Sequence, residues 1–372
     1  MSKTTLCVLF GGCTSEYEVS LESAYGVISN IDRAKYAVVM VAITNDGIWN
    51  HYTGDVEDIP NGKWVADTAN LKRACVDVSM GSSSLIVFGN DGTFTKIRID
   101  AAFPVMHGAY GEDGTMQGLF EMAKIPFVGS GCASSAACMD KAMTKMIINN
   151  TSVPQAKSLI RTIDMKKLAQ CDEYTSALVA EIEAKFTYPI FIKPANAGSS
   201  RGISKVTATS SLIDALILGA ENDAGAKVII EENISGKEVE VAVLGNPPDI
   251  ITSVCGEIDP GSEFYDYDTK YKNSTASYFI PARIKPETAD KIKEYVTTIY
   301  TALGCKGLSR VDFFVGTDSA GNEIVTFNEI NTIPGFTPIS MYPKLFIHSD
   351  ISYAELIDRL VTLAMGNGKG DF

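Results

Sequence analysis

The chain has 372 residues, too many for one hydrophobic core and a usual length for two or three compact units. Hydrophobic residues make up 45% and charged residues 21%, the balance of an ordinary globular protein rather than a disordered one. A formal net charge of -13 without a concentrated basic face excludes nucleic acid as a general partner, and no apolar run approaches the roughly 20 residues of a membrane span. The amino terminus, MSKTTLCVLFGG, lacks a signal-sequence pattern, so a cytoplasmic protein is expected. Eight cysteines without CxxC pairs or neighbouring histidines read as buried free thiols in a reducing compartment.

LCVLFGG (6–12) reads as a buried parallel strand ending in a glycine turn, SLESAYGVISNI (20–31) has helical spacing, and YAVVMVAIT (36–44) is the next strand. Strand, helix, strand predicts a right-handed crossover in a doubly wound sheet. Residues 45–98 hold the turn signals DGIWN, NGKW and GNDGT between short strand-like pieces and elaborate that first unit. DAAFPVMHG (100–108) returns to a buried strand that stops at a loop, the end at which open α/β sheets place a ligand crevice. KIPFVGSG (124–131) closes the unit, and DKAMTKMIINN (140–150) starts a helix capped by Asp140.

Strands follow at PIFIKPA and GISKV, a helix near 211–221, and a strand at KVIIEE. The last third holds strands at EVEVAVLG, IITSVCGEI, SRVDFFVG and EIVTFNEI, with helices at KPETADKIKEYVTTIYTALG and YAELIDRLVTLAM. The polar, tyrosine-rich stretch 260–279 reads as a long functional loop. The expected units are 1–124, 125–226 and 227–372.

RVDFF (310–314) and FNEIN (327–331) are two apolar strands that present oxygen ligands at alternate positions. Asp312, Glu329 and Asn331 are hard ligands, and a period of two puts Glu329 and Asn331 on one face, which suits magnesium beside a nucleotide. The structural alternative is a strand-end aspartate with a buried Arg310–Glu329 salt bridge. KPANAGSSRGISK (193–205) puts Lys193 at a strand end before a glycine-serine turn whose amides, Ser200 among them, suit phosphate oxygens. It lacks the lysine that follows the second glycine of a P-loop, and a hairpin turn is its plain alternative. In VIIEENISGKE (228–238), Glu231 and Glu232 end a strand where backbone or carboxylate accepts an adenine amino group, and Glu238 reaches ribose hydroxyls; a solvated acidic strand end is the alternative. His107 follows an apolar strand, where a histidine is usually hydrogen-bonded structure, but its loop faces the expected crevice.

The glycine-serine turn, the EE strand end and the DxxF…NEIN pair share the order found in ATP-grasp enzymes. FGGCTSEYEVSL, FPVMHGAYGEDGTMQG, CMDKAMTK, FIKPANAGSSRGISK, EFYDYDTKY, LSRVDFF and NEINTIPGFTPISMYP resemble the D-alanine:D-alanine ligase family over nearly the whole chain. The resemblance implies an α/β ATP-grasp fold: an N-terminal doubly wound parallel-sheet domain and two α+β domains clasping ATP. It implies Lys141 and Lys193 on the α and β phosphates, Glu231 to Ile234, with Glu232 between, along adenine, Glu238 on ribose and Lys270 on the γ phosphate. Asp312, Glu329 and Asn331 would hold two magnesium ions, with manganese as a substitute. Glu16 would bind the first D-alanine's ammonium, oriented by Ser199 and Tyr271 with His107 nearby. Arg310 and the Gly335 amide would stabilise the tetrahedral intermediate, and Ser340 with the Met341 amide would receive the second carboxylate. The product would be D-alanyl-D-alanine for peptidoglycan, made through an acyl phosphate by a homodimer.

Tyr271 favours an amine acceptor over D-lactate. EYEVSL and the region near WNHYTG also resemble D-alanine:D-serine ligases of the vancomycin-resistance type, and Tyr17 stands where housekeeping enzymes often carry histidine or arginine. An arginine often occupies the Met341 position in that subgroup, so the thioether, with Tyr265 and Tyr267, favours D-alanine, and D-serine is the alternative. A non-catalytic nucleotide- or solute-binding protein is the reading from another class, although it has no need of the Arg310, Asp312, Glu329, Asn331 set. A Rossmann dehydrogenase fails because FGGCTSEYEV lacks the full glycine fingerprint and places glutamates where a pyrophosphate would sit.

Overall fold

In the computed structural model, residues 3–259, 261 and 276–367 are described. Three sheets organise them. The first is built on β1 (Thr4–Gly11), which pairs in parallel with β2 (Tyr36–Ile43) on one side and β7 (Ala101–Pro104) on the other. Leu6 to Phe10 are at most 1% exposed, as an unbroken apolar run covered on both faces must be. Helix α1 (Tyr17–Asn30) makes the crossover and starts earlier than its apolar spacing predicts, because the Ser20 N–H already donates to the Glu16 carbonyl at 3.0 Å. Only these three strands are parallel. β3 (Trp49–Tyr52), β4 (Leu71–Val76), β5 (Ser84–Phe88) and β6 (Phe94–Arg98) extend the sheet antiparallel in the order β6-β5-β4-β3-β2-β1-β7. Their connections carry no crossover helix, which a parallel neighbour requires.

After α2 (Thr115–Ala123), the helices α3 (Cys132–Met139) and α4 (Lys141–Ile148) lead into the second unit. Asp140 caps α4, its Oδ1 accepting from the amides of Ala142 and Met143 at 2.9 and 3.1 Å. The second sheet holds β8 (Ser158–Thr162), β9 (Ile190–Pro194), β10 (Ser204–Val206) and β11 (Lys227–Glu232) in the order β10-β9-β11-β8. It therefore runs past residue 226 to Glu232. It packs on α5 (Met165–Gln170), α6 (Asp172–Lys185) and α7 (Leu212–Glu221) around Ile182, Ile192, Leu216 and Val228.

The third sheet has the order β15-β14-β12-β16-β17, from β12 (Lys237–Asn246), β14 (Gly256–Asp259), β15 (Ser277–Phe279), β16 (Gly307–Thr317) and β17 (Glu323–Asn331), with β13 (Asp249–Thr252) beside β12. IITSVCGEI, expected as one strand, is split into β13 and β14. Ser253 makes the break: its Oγ accepts from the Ala242 amide at 3.0 Å, where a straight ladder would put a carbonyl. Helix α8 (Pro286–Ala302) covers one face, while α9 (Met341–Ile347) and α10 (Tyr353–Asn367) cover the other and reach the first sheet. Phe103 of β7 meets Phe336 edge-on at 5.5 Å in the core these units share.

Of the eight cysteines Cys7, Cys138, Cys255 and Cys305 are buried, but Cys13 is exposed in the turn after β1, so burial does not extend to every thiol. Among the described residues no helix is long and apolar enough to cross a membrane.

Candidate active site

A cavity of about 650 Å³ opens between the second and third sheets, and Glu16 and Glu112 of the first unit close one end of it. Predicted residues lining it are Glu16, Lys141, Lys193, Ser199, Ser200, Glu231, Glu232, Ile234, Glu238, Glu329 and Asn331. Strand ends and turns carry most of them, and the first turn of α4 carries Lys141.

One carboxylate of the first unit meets the glycine-serine turn of the second. Ser199 Oγ donates to Glu16 Oε1 at 2.5 Å across 183 residues of sequence. Ser199 and Ser200 have φ of 51° and 57°, so the glycine-serine turn coils left-handed and turns its serine toward Glu16. Two glycines seat the carboxylate: a Cβ on Gly108 would lie 2.3 Å from Glu16 Oε2, and one on Gly198 would lie 2.9 Å from it.

Deeper in, Glu231 lies between two ammonium groups, with Lys193 Nζ and Lys145 Nζ each at 2.6 Å. Burial raises the Glu231 pKa, but the two lysines outweigh it and hold the carboxyl down at about 2. Burial opposes the charge on Lys193, and Glu231 outweighs that too, keeping the ammonium above its ordinary range. The Glu232 carboxylate accepts from the Lys157 amide at 2.7 Å. Both acidic side chains at this strand end are thus engaged within the protein.

On the third sheet, register decides which side chains meet. Arg310 faces Asn331 and Asp312 faces Glu329 across β16 and β17, with a bulge between Asp312 and Phe313. Arg310 grips Asp312 with Nε and Nη2 at 2.8 and 2.7 Å, and Glu240 of β12 adds a second carboxylate at 3.0 Å from Nε. The arginine's ion pairs are with these two acids, and Glu329 acts on it through its charge at longer range. Burial lowers its pKa, and the two carboxylates more than reverse this. Asn331 Nδ2 donates to Asp312 Oδ2 at 3.1 Å, leaving the amide oxygen as its remaining ligand atom. Glu329 sits 3.5 Å from Lys141 Nζ, which also donates to the Ala197 carbonyl at 2.8 Å. Among the described residues no three of His, Cys, Asp and Glu cluster as metal ligands; the oxygen set here is two carboxylates and an amide.

His107 is 4% exposed and does not line the cavity. Its Nδ1 lies 3.0 Å from the Ile333 carbonyl, which only accepts, so Nδ1 carries the proton and Nε2 accepts from Ser23 Oγ at 3.0 Å. Burial lowers its pKa against the opposing charge of Glu16. The imidazole therefore positions the loop after β17 and has no ring nitrogen left for a substrate. Gly335, in that same loop, would set a Cβ 2.6 Å from Ser340 Oγ. Ser340 Oγ accepts from the Thr337 amide at 3.1 Å at the start of α9, and the Met341 side chain is buried against Gly256. Lys270, Tyr271, Tyr265 and Tyr267 lie outside the described residues.

Three site residues escape a reading of the sequence alone. Lys145 follows Lys141 by one helical turn on α4, a spacing that could have signalled it. Glu240 alternates with valines in EVEVAV and is found only through its register with Asp312. Glu112, in HGAYGED, accepts from the Gly108 and Ile333 amides at 2.8 and 3.0 Å and so ties the loop after β7 to the loop after β17. Removal from water, then the nearby charge of Glu16, pushes its carboxyl up to about 8.

Two family models match this chain, D-ala D-ala ligase N-terminus over residues 5–130 and D-ala D-ala ligase C-terminus over residues 156–362. The chain belongs to the D-alanine–D-alanine ligase family. A D-alanine–D-alanine ligase of Ruminiclostridium cellulolyticum is 45% identical over 98% of this chain and 96% of that protein, and one of Chlorobium luteolum is 44% identical over 98% of each. Among solved structures, the VanG D-Ala:D-Ser ligase from Enterococcus faecalis superposes with a TM-score of 0.85 at 40% identity, covering 98% of this chain and all of that one. The D-alanine-D-alanine ligase from Coxiella burnetii follows with a TM-score of 0.82 at 27% identity, covering 99% and 96%. The three-sheet architecture is thus the ATP-grasp fold of these ligases.

Proposed function

We propose that this chain is an ADP-forming ligase that joins two D-alanines into D-alanyl-D-alanine for peptidoglycan, through D-alanyl phosphate. The observation that carries this reading is the Ser199–Glu16 hydrogen bond at 2.5 Å, which puts an amine-binding carboxylate against the turn of a lysine-lined cavity. ATP lies in that cavity with adenine along the main chain of 231–234, ribose near Glu238, and the phosphates under Lys141, Lys193 and the Ser200 turn. By the family resemblance, Lys270 would serve the γ phosphate.

Carboxylate attack on ATP brings two anions together, so cations must screen the approach. The hard oxygens of Asp312, Glu329 and Asn331 fit magnesium, with manganese as substitute, which supplies that screening when bound. Glu16, held by Ser199, binds the first ammonium, and by the family resemblance Tyr271 would help to orient it. Arg310 is itself held rigid by Asp312 and Glu240, and with the Gly335 amide it faces the charge that develops on the tetrahedral carbon's oxygen. Ser340 and the Met341 amide receive the second carboxylate. His107 and Glu112 hold the surrounding loops in place.

D-serine as second substrate is the alternative, favoured by the likeness to the Enterococcus faecalis D-Ala:D-Ser ligase. Met341 contributes no polar group to a hydroxyl, which favours D-alanine. Product analysis with D-alanine, D-serine and D-lactate in competition tests this reading: D-alanyl-D-alanine should dominate, and a preference for the mixed dipeptide overturns the assignment. Phosphate release that requires both ATP and D-alanine separates the ligase from a passive nucleotide- or solute-binding protein. We further propose a homodimer working in the cytoplasm, with light scattering as the test of its size.

A further inference from the structure

Cys138, in the last turn of α3, and Cys305, in the turn between α8 and β16, bring their sulfurs to 3.7 Å from each other. Both belong to the apolar cluster of Val311, Phe313 and Ile330 beneath the third sheet. Cys138 is 6% exposed and Cys305 is fully buried. Only Cys138 lines the cavity. A small solute entering there meets one thiol, with the second directly behind it. Either sulfur can donate in this contact, and the Cys305 contact, then burial, holds the Cys138 thiol well above its ordinary pKa, so placement on the cavity wall rather than acidity makes Cys138 the sulfur that an entering solute meets first.

The position gives this pair reach into the site. Cys138 is followed directly by Met139 on the cavity wall, by Asp140, which caps α4 and pairs with Lys227, and by Lys141. Cys305 leads into β16, which carries Arg310 and Asp312. Joining the two sulfurs ties the root of that strand to the α3–α4 junction.

We propose that Cys138 and Cys305 form an oxidisable dithiol site in the cavity wall, where hydrogen peroxide converts the two thiols to a disulfide and weakens nucleotide binding. The Cys138 sulfur attacks a peroxide oxygen, the O–O bond breaks, and one water leaves as the sulfenic acid forms. Cys305 then attacks that sulfur. The S–O bond breaks as the S–S bond forms, and the departing hydroxide leaves as the second water with the Cys305 proton. Two thiols lose two electrons in all, and the peroxide gains them.

The test treats the full chain with hydrogen peroxide, alkylates free thiols, and maps peptides without reduction, with and without ATP and magnesium. A crosslink between the Cys138 and Cys305 peptides is expected, forming about tenfold more slowly when nucleotide fills the cavity, since access controls the reaction. Calorimetry should show the Kd for ATP raised about tenfold or more in the crosslinked protein, and dithiothreitol should restore it. Separate recovery of the two alkylated cysteines, oxidation that stops at Cys138, no slowing by nucleotide, or a crosslink with unchanged Kd would each overturn the proposal. Cys138→Ser should abolish the crosslink. The mapping of the unaltered chain stands even if that variant fails to fold, and it stands on geometry alone, so it can succeed or fail independently of the ligase activity.

Discussion

Two parts of the site, one behind the cavity wall and one at its mouth, are built on opposite terms. At the third sheet, Arg310, Asp312, Glu240 and Asn331 sit on neighbouring strands, and hydrogen-bonded register sets their distances. At the first sheet, Glu16 reaches a serine of another unit through one hydrogen bond, seated by glycines whose missing Cβ atoms make the room. The first arrangement is a buried charge cluster, one guanidinium shared by two carboxylates, that must fold complete. The second is a contact between units, made by side chains that no shared strand register fixes.

Substitutions should separate these two designs, and the largest effect belongs to the charge cluster. Arg310→Ala leaves Asp312 and Glu240 as buried carboxylates without their cation, so chemical denaturation should show a loss of about 3–5 kcal/mol. Phosphate release should fall by roughly 10³-fold as well. Arg310→Lys keeps the charge but not the two-pronged grip on Asp312, and should recover stability more than rate. Equal recovery of both would contradict a separate role in the reaction.

At the contact between units, Gly108→Ala sets a methyl group against Glu16 at a φ of +69°, a conformation that only glycine adopts freely. Initial rates should show kcat/KM for D-alanine reduced about 10²-fold, while the Kd for ATP moves little. Ser199→Ala removes the hydrogen bond that orients the Glu16 carboxylate, and should raise the D-alanine KM by about tenfold, while chemical denaturation moves by less than the roughly 1.4 kcal/mol which that factor represents. A matching loss of stability would show the serine to be structural.

The remaining effect is a pH dependence at the loop-to-loop tie. Glu112 has its carboxyl pushed up from 4.5 to about 8, so the folded chain keeps a proton that the unfolded chain has already released between those values. That contribution to stability is complete below 4.5 and disappears as the pH rises through about 8. Glu112→Gln, neutral throughout, should flatten the decline in melting temperature across this window. An unchanged slope would remove Glu112 as its source.

Much of the strand-borne half can be read directly from local pattern. Apolar alternation around Asp312, Glu329 and Asn331 gives both the strands and the face their oxygens share, since strand geometry is local. Asp140 likewise announces its helix by capping chemistry, and the apolar run before Gly11 announces a buried parallel strand. Pattern fails where the partner is remote. Nothing beside Glu231 shows that two lysines consume its charge, and nothing beside His107 shows that Ser23 and Ile333 occupy both of its nitrogens. IITSVCGEI looks continuous because its break depends on Ser253 bonding a neighbouring strand.

By itself the sequence determined the fold class, the order of most elements, and the types of side chain at each strand end, because periodicity and capping act over a few residues. Only the tertiary structure decided that Glu16 meets Ser199, that Glu240 shares Arg310 with Asp312, and that two cysteines lie side by side. Such contacts are set by the register and packing of strands far apart in the chain, where the Coulomb and burial terms depend on distances in space that spacing along the sequence does not contain.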